Sequence, residues 1–175
     1  YASNFGAIVE LDKAIYDWTD RVLITVTAPD HNQDSEKEET IGTTSLPIKV
    51  STRQETMPSG TTSYTLAESD EDTGVFEGEF VLQGFNDSNI FTTARTSTSS
   101  TGNTDGTIQT AGQTDGITVS YEYTDGSVSL ASALIAWNIG EISFSDSSVS
   151  PGGSTTITLI DGDLDTNPDV INTKT

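Results

Sequence analysis

Asp161-Gly162-Asp163-Leu164-Asp165-Thr166-Asn167-Pro168-Asp169 places a side-chain oxygen at every odd position of one short stretch. Hard cations such as calcium collect about six to eight oxygens, mainly carboxylates carried on a flexible loop. Aspartates spaced this closely repel one another unless water or a cation neutralises them. The chemistry that fits is divalent-cation binding, most readily calcium, with Asp161, Asp163, Asp165, Asn167 and Asp169 as ligands. The plainer alternative is a solvated acidic turn. An EF-hand is excluded, because position six of the stretch is Thr166 rather than glycine and position twelve is Asn172 rather than glutamate. Asp30, Asn32 and Asp34 form a thinner version of the same alternation, and Asp70-Glu71-Asp72 reads as an ordinary turn.

Other chemistry has little material. His31 is the only histidine and there is no cysteine. A Ser-His-Asp triad, a cysteine nucleophile or a zinc site of usual make-up is therefore not expected. Counting cannot decide on a pair of catalytic carboxylates, since acids occur throughout. No glycine-rich phosphate loop is present, and the chain is not expected to be an enzyme. Asn86-Asp87-Ser88 fits the N-glycosylation sequon, which makes Asn86 a glycan site if the chain is exported. Trp18 and Trp137 are expected to pack in the core or at a boundary rather than to stack on sugars.

The charge balance narrows the partners. Seven Lys and Arg stand against 27 Asp and Glu, a formal charge of −20. Phosphate-backbone recognition needs the opposite sign, and so does docking on an anionic membrane face. Such a surface suits solubility, cation binding or high salt. Missing cysteine removes the disulfide scaffold of many secreted domains without arguing against export. No apolar run reaches the ~20 residues that span a bilayer.

The elements that must position these residues read as short strands. Ala7–Leu11 is an apolar run, interrupted by Asp12-Lys13 and resumed at Ala14-Ile15-Tyr16. Val22, Ile24, Val26 and Ala28 alternate with polar residues, the period of a half-buried strand, and Pro29 ends it. Further strands are predicted at Ile48–Ser51, Ser63–Leu66 and Val75–Leu82, with Gly78 marking a bulge or a close backbone approach. Gly84–Gly116 is polar, with few apolar anchors, and reads as an insertion. Thr-Asp-Gly recurs at 104–106, 114–116 and 124–126 as turn punctuation. The last of these closes a hairpin between Ile117–Tyr123 and Val128–Ile139, whose second arm runs on into Glu141–Phe144. Thr155–Ile160 is the final strand. This pattern predicts an all-β fold, an immunoglobulin-like β-sandwich.

A faint internal repeat organises the chain. Asn4-Phe5-Gly6-Ala7-Ile8 returns 134 residues later as Asn138-Ile139-Gly140-Glu141-Ile142. Val22, Ile24 and Val26, ending at Pro29-Asp30, return 133 residues later as Thr155, Ile157 and Leu159, ending at Gly162-Asp163. One residue is lost in the turn around Trp18 or Gly152. Self-similarity at fixed spacing is the sign of an array. The expectation is one module over 1–139, with residues 1–5 closing a preceding module and 140–175 opening the next, so that the chain is a slice of a longer protein.

With the repeat in view, the chain resembles the surface-layer (S-layer) proteins of ammonia-oxidising archaea. The resemblance is carried by Leu11–Val22, Ala28–Asn32, Asp72-Thr73-Gly74-Val75-Phe76-Glu77-Gly78-Glu79, Ser132–Gly140 and Asp161–Pro168. The Gly84–Gly116 insertion and Asp34–Thr44 match least, and the Asp-Thr-Gly-x-Phe-x-Gly segment is common to many archaeal surface β-domains. The resemblance implies a tandem array of immunoglobulin-like domains, self-assembled into an extracellular lattice that coats the cell. It also implies a need for divalent cations and acidic pores that attract ammonium. The competing expectation is an adhesin-like or ligand-binding module, which needs an exposed aromatic patch such as Phe85, Phe91 and Tyr64 could form.

Overall fold

The computed structural model describes residues 6–82, 106–111, 114–136, 138–164 and 171. Among the described residues the structure is all-β, interrupted only by single 3-10 turns at Pro29–His31 and Gly162–Leu164. The strands are β1 (Ile8–Leu11), β2 (Ile15–Tyr16), β3 (Arg21–Thr27), β4 (Thr40–Ile41), β5 (Ile48–Ser51), β6 (Thr56–Met57) and β7 (Leu66–Glu68). They continue as β8 (Val75–Leu82), β9 (Thr107–Ile108), β10 (Asp115–Thr124), β11 (Ser127–Ile135), β12 (Glu141–Phe144) and β13 (Ile157–Ile160).

Alternation along β3 sets the layers. Val22, Ile24 and Val26 are fully buried, while Arg21 and Leu23 face outward. β3 lies between β1 and β8 in a sheet ordered β1-β3-β8-β7-β4, with β9 parallel to the end of β8. The second sheet is ordered β2-β11-β10-β5-β6, with β2 parallel to β11. Their inner faces share one core. Val22, Ile24, Val26, Phe76 and Phe80 come from the first sheet, and Ile48, Val50, Ile117, Val119 and Tyr121 from the second. Each such side chain contributes about 1.5–3 kcal/mol of burial. The arrangement is two packed sheets, open rather than closed, as in a β-sandwich.

The apolar run around Asp12-Lys13 resolves into two strands in different sheets. Asp12 Oδ1 accepts both the Tyr16 hydroxyl at 2.6 Å and the Leu23 N–H at 2.9 Å. That clasp turns the chain from β1 across to β2. Trp18 follows, fully buried in the core as expected; Trp137 lies outside the described residues.

Three local expectations are corrected. Gly78 marks no bulge, since the β3–β8 register runs unbroken from Arg21↔Val81 to Thr27↔Val75. Thr114-Asp115-Gly116 is not a turn; Asp115 and Gly116 begin β10, and the Asp115 carboxylate is buried among N–H donors. β11 stops at Ile135 instead of running into β12. Its last partner is β2, and the Ala136 N–H bonds to Tyr16 O; beyond it, side chains rather than a strand hold Asn138. The Asp125-Gly126 hairpin forms as predicted, with Gly126 at φ 73.

Among the described residues β12 and β13 pair only with each other, as a separate ribbon. Its register repeats that of the first hairpin. Val9↔Val26 and Leu11↔Ile24 pair in β1–β3, and Ile142↔Leu159 and Phe144↔Ile157 pair in β12–β13. A single displacement of 133 residues relates all four positions, and also relates the 3-10 turn Pro29–His31 to Gly162–Leu164. The Asn-x-Gly-x-Ile match at 134 is therefore one residue out of structural register, and no residue is lost in a turn. The two copies differ in cover. Val9, Ile24 and Val26 are buried, whereas Ile142, Phe144, Ile157 and Leu159 are 64, 60, 59 and 56% exposed.

The two equivalent isoleucines should respond differently. Ile24→Ala is expected to cost about 2–5 kcal/mol of stability, as a buried truncation does. Ile157→Ala should stay within about 0.5 kcal/mol, as at an exposed site. Urea unfolding of both variants by tryptophan fluorescence checks this; equal losses would mean the ribbon is covered.

Candidate functional site

The ribbon meets the sandwich at Asn138. Its backbone N–H donates to Asp163 Oδ2 at 2.7 Å, and its side-chain Nδ2 donates to Asp17 Oδ2 at 2.7 Å. Asp17, in the turn between β2 and β3, also accepts the Trp18 N–H at 2.6 Å and is tied to Asp20 through its own N–H. Asp163 lies in the 3-10 turn after β13, its N–H bonded to Asp161 Oδ1 at 3.1 Å. One asparagine thus bridges a turn of the sandwich and the loop of the ribbon.

Glycines make the approach close. A Cβ on Gly162 would fall 2.7 Å from Asp17 Oδ2 and 2.8 Å from Asn138 Nδ2. A Cβ on Gly140 would fall 3.0 Å from Asp161 Oδ2.

Asp163 is 1% exposed, and among the described residues its Oδ1 has no hydrogen-bond partner. Burial, with the nearby charges of Asp17 and Asp161, pushes its carboxyl above the usual carboxylate value, against the pull of the Asn138 hydrogen bond. An orphaned oxygen on a buried charge is costly, and neutralisation relieves it.

The predicted ligands divide accordingly. Asp161 and Asp163 come together at this junction; Asp165, Asn167 and Asp169 lie outside the described residues, as does the sequon residue Asn86. Asp30, Asn32 and Asp34 go separate ways. Asp30 sits in the first 3-10 turn, Asn32 Nδ2 donates to Asp72 Oδ1 at 2.9 Å, and Asp34 Oδ1 accepts the Glu36 N–H at 3.2 Å. Among the described residues no three Asp, Glu or His side chains form a ready metal-ligand set. Asp17 and Asn138 were missed as partners because they stand 121 residues apart. Their only signal was the Asn of the repeated motif and the acidic turn around Trp18.

Other polar sites are structural. His31 Nε2 lies 3.1 Å from both Tyr123 O and the Tyr121 hydroxyl, so the lone histidine pins its turn to β10. A shallow groove of about 360 Å³ crosses the outer face of the first sheet over Gly78, between Leu23 and the carboxylates of Asp12, Glu77 and Glu79. Arg21 already pairs with Glu79 there at 2.7 Å.

Glu68 provides a pH test. Burial alone would raise its carboxyl; the N–H groups of Gly74, Glu39 and Thr73, with the Thr73 hydroxyl, outweigh burial and hold it below the usual value. A lowered folded value means that this stabilisation is complete above the unfolded value of 4.5 and fades as pH falls through the lower folded one. Denaturant melts between pH 6 and pH 3 should show that loss, and Glu68→Gln should be less stable at pH 6 with a flatter acid limb. An unchanged acid limb would remove Glu68 from the account.

No family model matches this chain and no curated protein matches it, so the functional reading rests on the sequence and the geometry.

Proposed function

We propose that this chain is a structural segment of an extracellular surface lattice built from tandem immunoglobulin-like modules, of the S-layer kind that its sequence resembles. The observation that carries the reading is the second hairpin. It repeats β1–β3 in register, in apolar core positions and in the 3-10 turn that follows. Its apolar face is the one that the first copy buries under a second sheet. In this reading residues 140–175 open a further module of the same build, and a strand in the role of β8 pairs with the free edge of β13.

The junction supports an array of fixed geometry. Asn138 is held from both sides, by Asp17 of one unit and Asp163 of the next, so the units are joined by hydrogen bonds. A charge of −20 suits an acidic coat that binds divalent cations, calcium first, and whose pores attract ammonium. Nucleic acid does not fit as a partner. No helix among the described residues is long and apolar enough to cross a membrane. The role is structural rather than enzymatic.

An adhesin-like module is the second reading. The outer face of β11 favours it, with Val128, Leu130 and Leu134 exposed in a row beside Ile15. Of the aromatic residues proposed for such a patch, Tyr64 is buried and bonded to Glu79 O, while Phe85 and Phe91 lie outside the described residues.

Sedimentation velocity of the full-length protein separates the readings. Large assemblies in calcium that dissolve in excess chelator are expected for the lattice. A monomer under both conditions would overturn a cation-linked lattice and favour the adhesin-like module.

A further inference from the structure

We propose that the contact between sandwich and ribbon is a divalent-cation latch, in which an ion bound by the free Oδ1 of Asp163 and by Asp161 fixes the ribbon against Asp17 of the sandwich. It rests on the surface-lattice reading only for the source of the ion.

The orphaned oxygen is the first observation. Asp163 Oδ2 accepts the Asn138 N–H, and among the described residues Oδ1 is buried without a hydrogen-bond partner. Buried polar atoms nearly always have partners, so an exception points to a missing one. The charge around it gives the sign of that partner. Asp17 and Asp161 both act on Asp163 as negative neighbours. Among the described residues neither Asp161 nor Asp163 forms an ion pair, and the nearby Lys13 is engaged with Asp20 at 2.9 Å. A neutral donor would satisfy the oxygen and leave the three charges. A cation does both.

A hard, oxygen-seeking ion of flexible coordination fits best, which is calcium before magnesium. Two carboxylates on one loop are a thin protein shell, and water completes it. Asp17 then acts through its charge across the junction, not as a ligand. Thin shells of this kind bind at ~10⁻⁴–10⁻³ M, the range of extracellular modules. Occupancy has a mechanical consequence. Repulsion between the loop carboxylates and Asp17 opposes the Asn138 bridge, and the ion removes it. The angle between the units is thereby tied to the cation.

Amide hydrogen exchange on the intact chain tests this, in calcium chloride and in sodium chloride of equal ionic strength. In the wild type, calcium should slow exchange at Asn138 and along β12–β13 by about tenfold. Amides of β3 and β10 serve as the internal reference for an intact sandwich. Asp163→Asn keeps an oxygen for the Asn138 N–H and loses the charge. Its ribbon should exchange slowly in both salts. Asp161→Asn removes one repelling charge and one ligand, so its ribbon should exchange more slowly than wild type in sodium and need more calcium to slow further. Equal wild-type exchange in the two salts would overturn the latch. So would a calcium effect that persists in Asp163→Asn. Sedimentation of the same samples separates this from the lattice: slowed exchange without assembly leaves the latch standing alone, and calcium-dependent assembly with unchanged exchange removes the latch only.

Discussion

With 27 acids against seven Lys and Arg, this chain has too few cations to hold its carboxylates by salt bridges alone. It holds them with backbone N–H groups. Glu68 takes those of Gly74, Glu39 and Thr73. Asp115 takes those of Ala111 and Gly116, with Arg53 closing one side. Asp12, exposed at the surface, takes that of Leu23 together with the Tyr16 hydroxyl. A carboxylate that accepts several N–H bonds stays charged at little cost and ties distant backbone together. These clasps sit where strands change sheet or direction: Asp12 between β1 and β2, Glu68 at the turn into β8, Asp115 at the start of β10. Asp163 departs from the pattern, with one backbone N–H bond, one oxygen without a partner among the described residues and two like-charged neighbours.

The second constraint is register. A one-residue slip in a strand turns its whole apolar set to the other face. The hairpins β1–β3 and β12–β13 share register and displacement, so both commit the same face to a core. In the first copy that commitment is met by β8 alongside and by β5 and β10 opposite. In the second it is open. A two-stranded ribbon is marginal by itself in water, so its order here depends on the anchor at its base, where Asn138 and Asp163 meet.

How much of this the sequence reveals depends on the range of the interaction. β3 was legible because Val22, Ile24, Val26 and Ala28 obey period two over a full strand. The β10–β11 hairpin was legible because Asp125-Gly126 stands between alternating runs. The two-residue strands β4, β6 and β9 carry no period and are defined by their neighbours. The strand expected at Ser63–Leu66 begins only at Leu66, since Ser63 and Tyr64 turn inward to bond Ile48 and Glu79. Acidic residues were the least legible. Asp161–Asp169 drew notice by spacing, yet its described part is completed by Asp17 and Asn138, whose approach depends on the whole sandwich. Asp115 looked like a turn residue and is a buried clasp.

The two 3-10 turns show how one local shape serves two tasks. Pro29-Asp30-His31 and Gly162-Asp163-Leu164 occupy equivalent places after equivalent strands. In the first, His31 reaches Tyr121 and Tyr123, so the turn is fastened to the sheet opposite. Gly74 comes so close to Pro29 that a Cβ would lie 2.8 Å from its Cα, which packs that turn against the entry to β8. In the second, leucine replaces the histidine, and glycine replaces the proline at the point where Asp17 and Asn138 approach. The fastening passes from the third residue of the turn to the second, and from an imidazole inside the sandwich to a carboxylate at the contact between sandwich and ribbon. A turn held by an imidazole and two tyrosines is complete in itself. The second turn is fastened by one carboxylate among the described residues, so the contact between ribbon and sandwich rests on the Asn138 bridge.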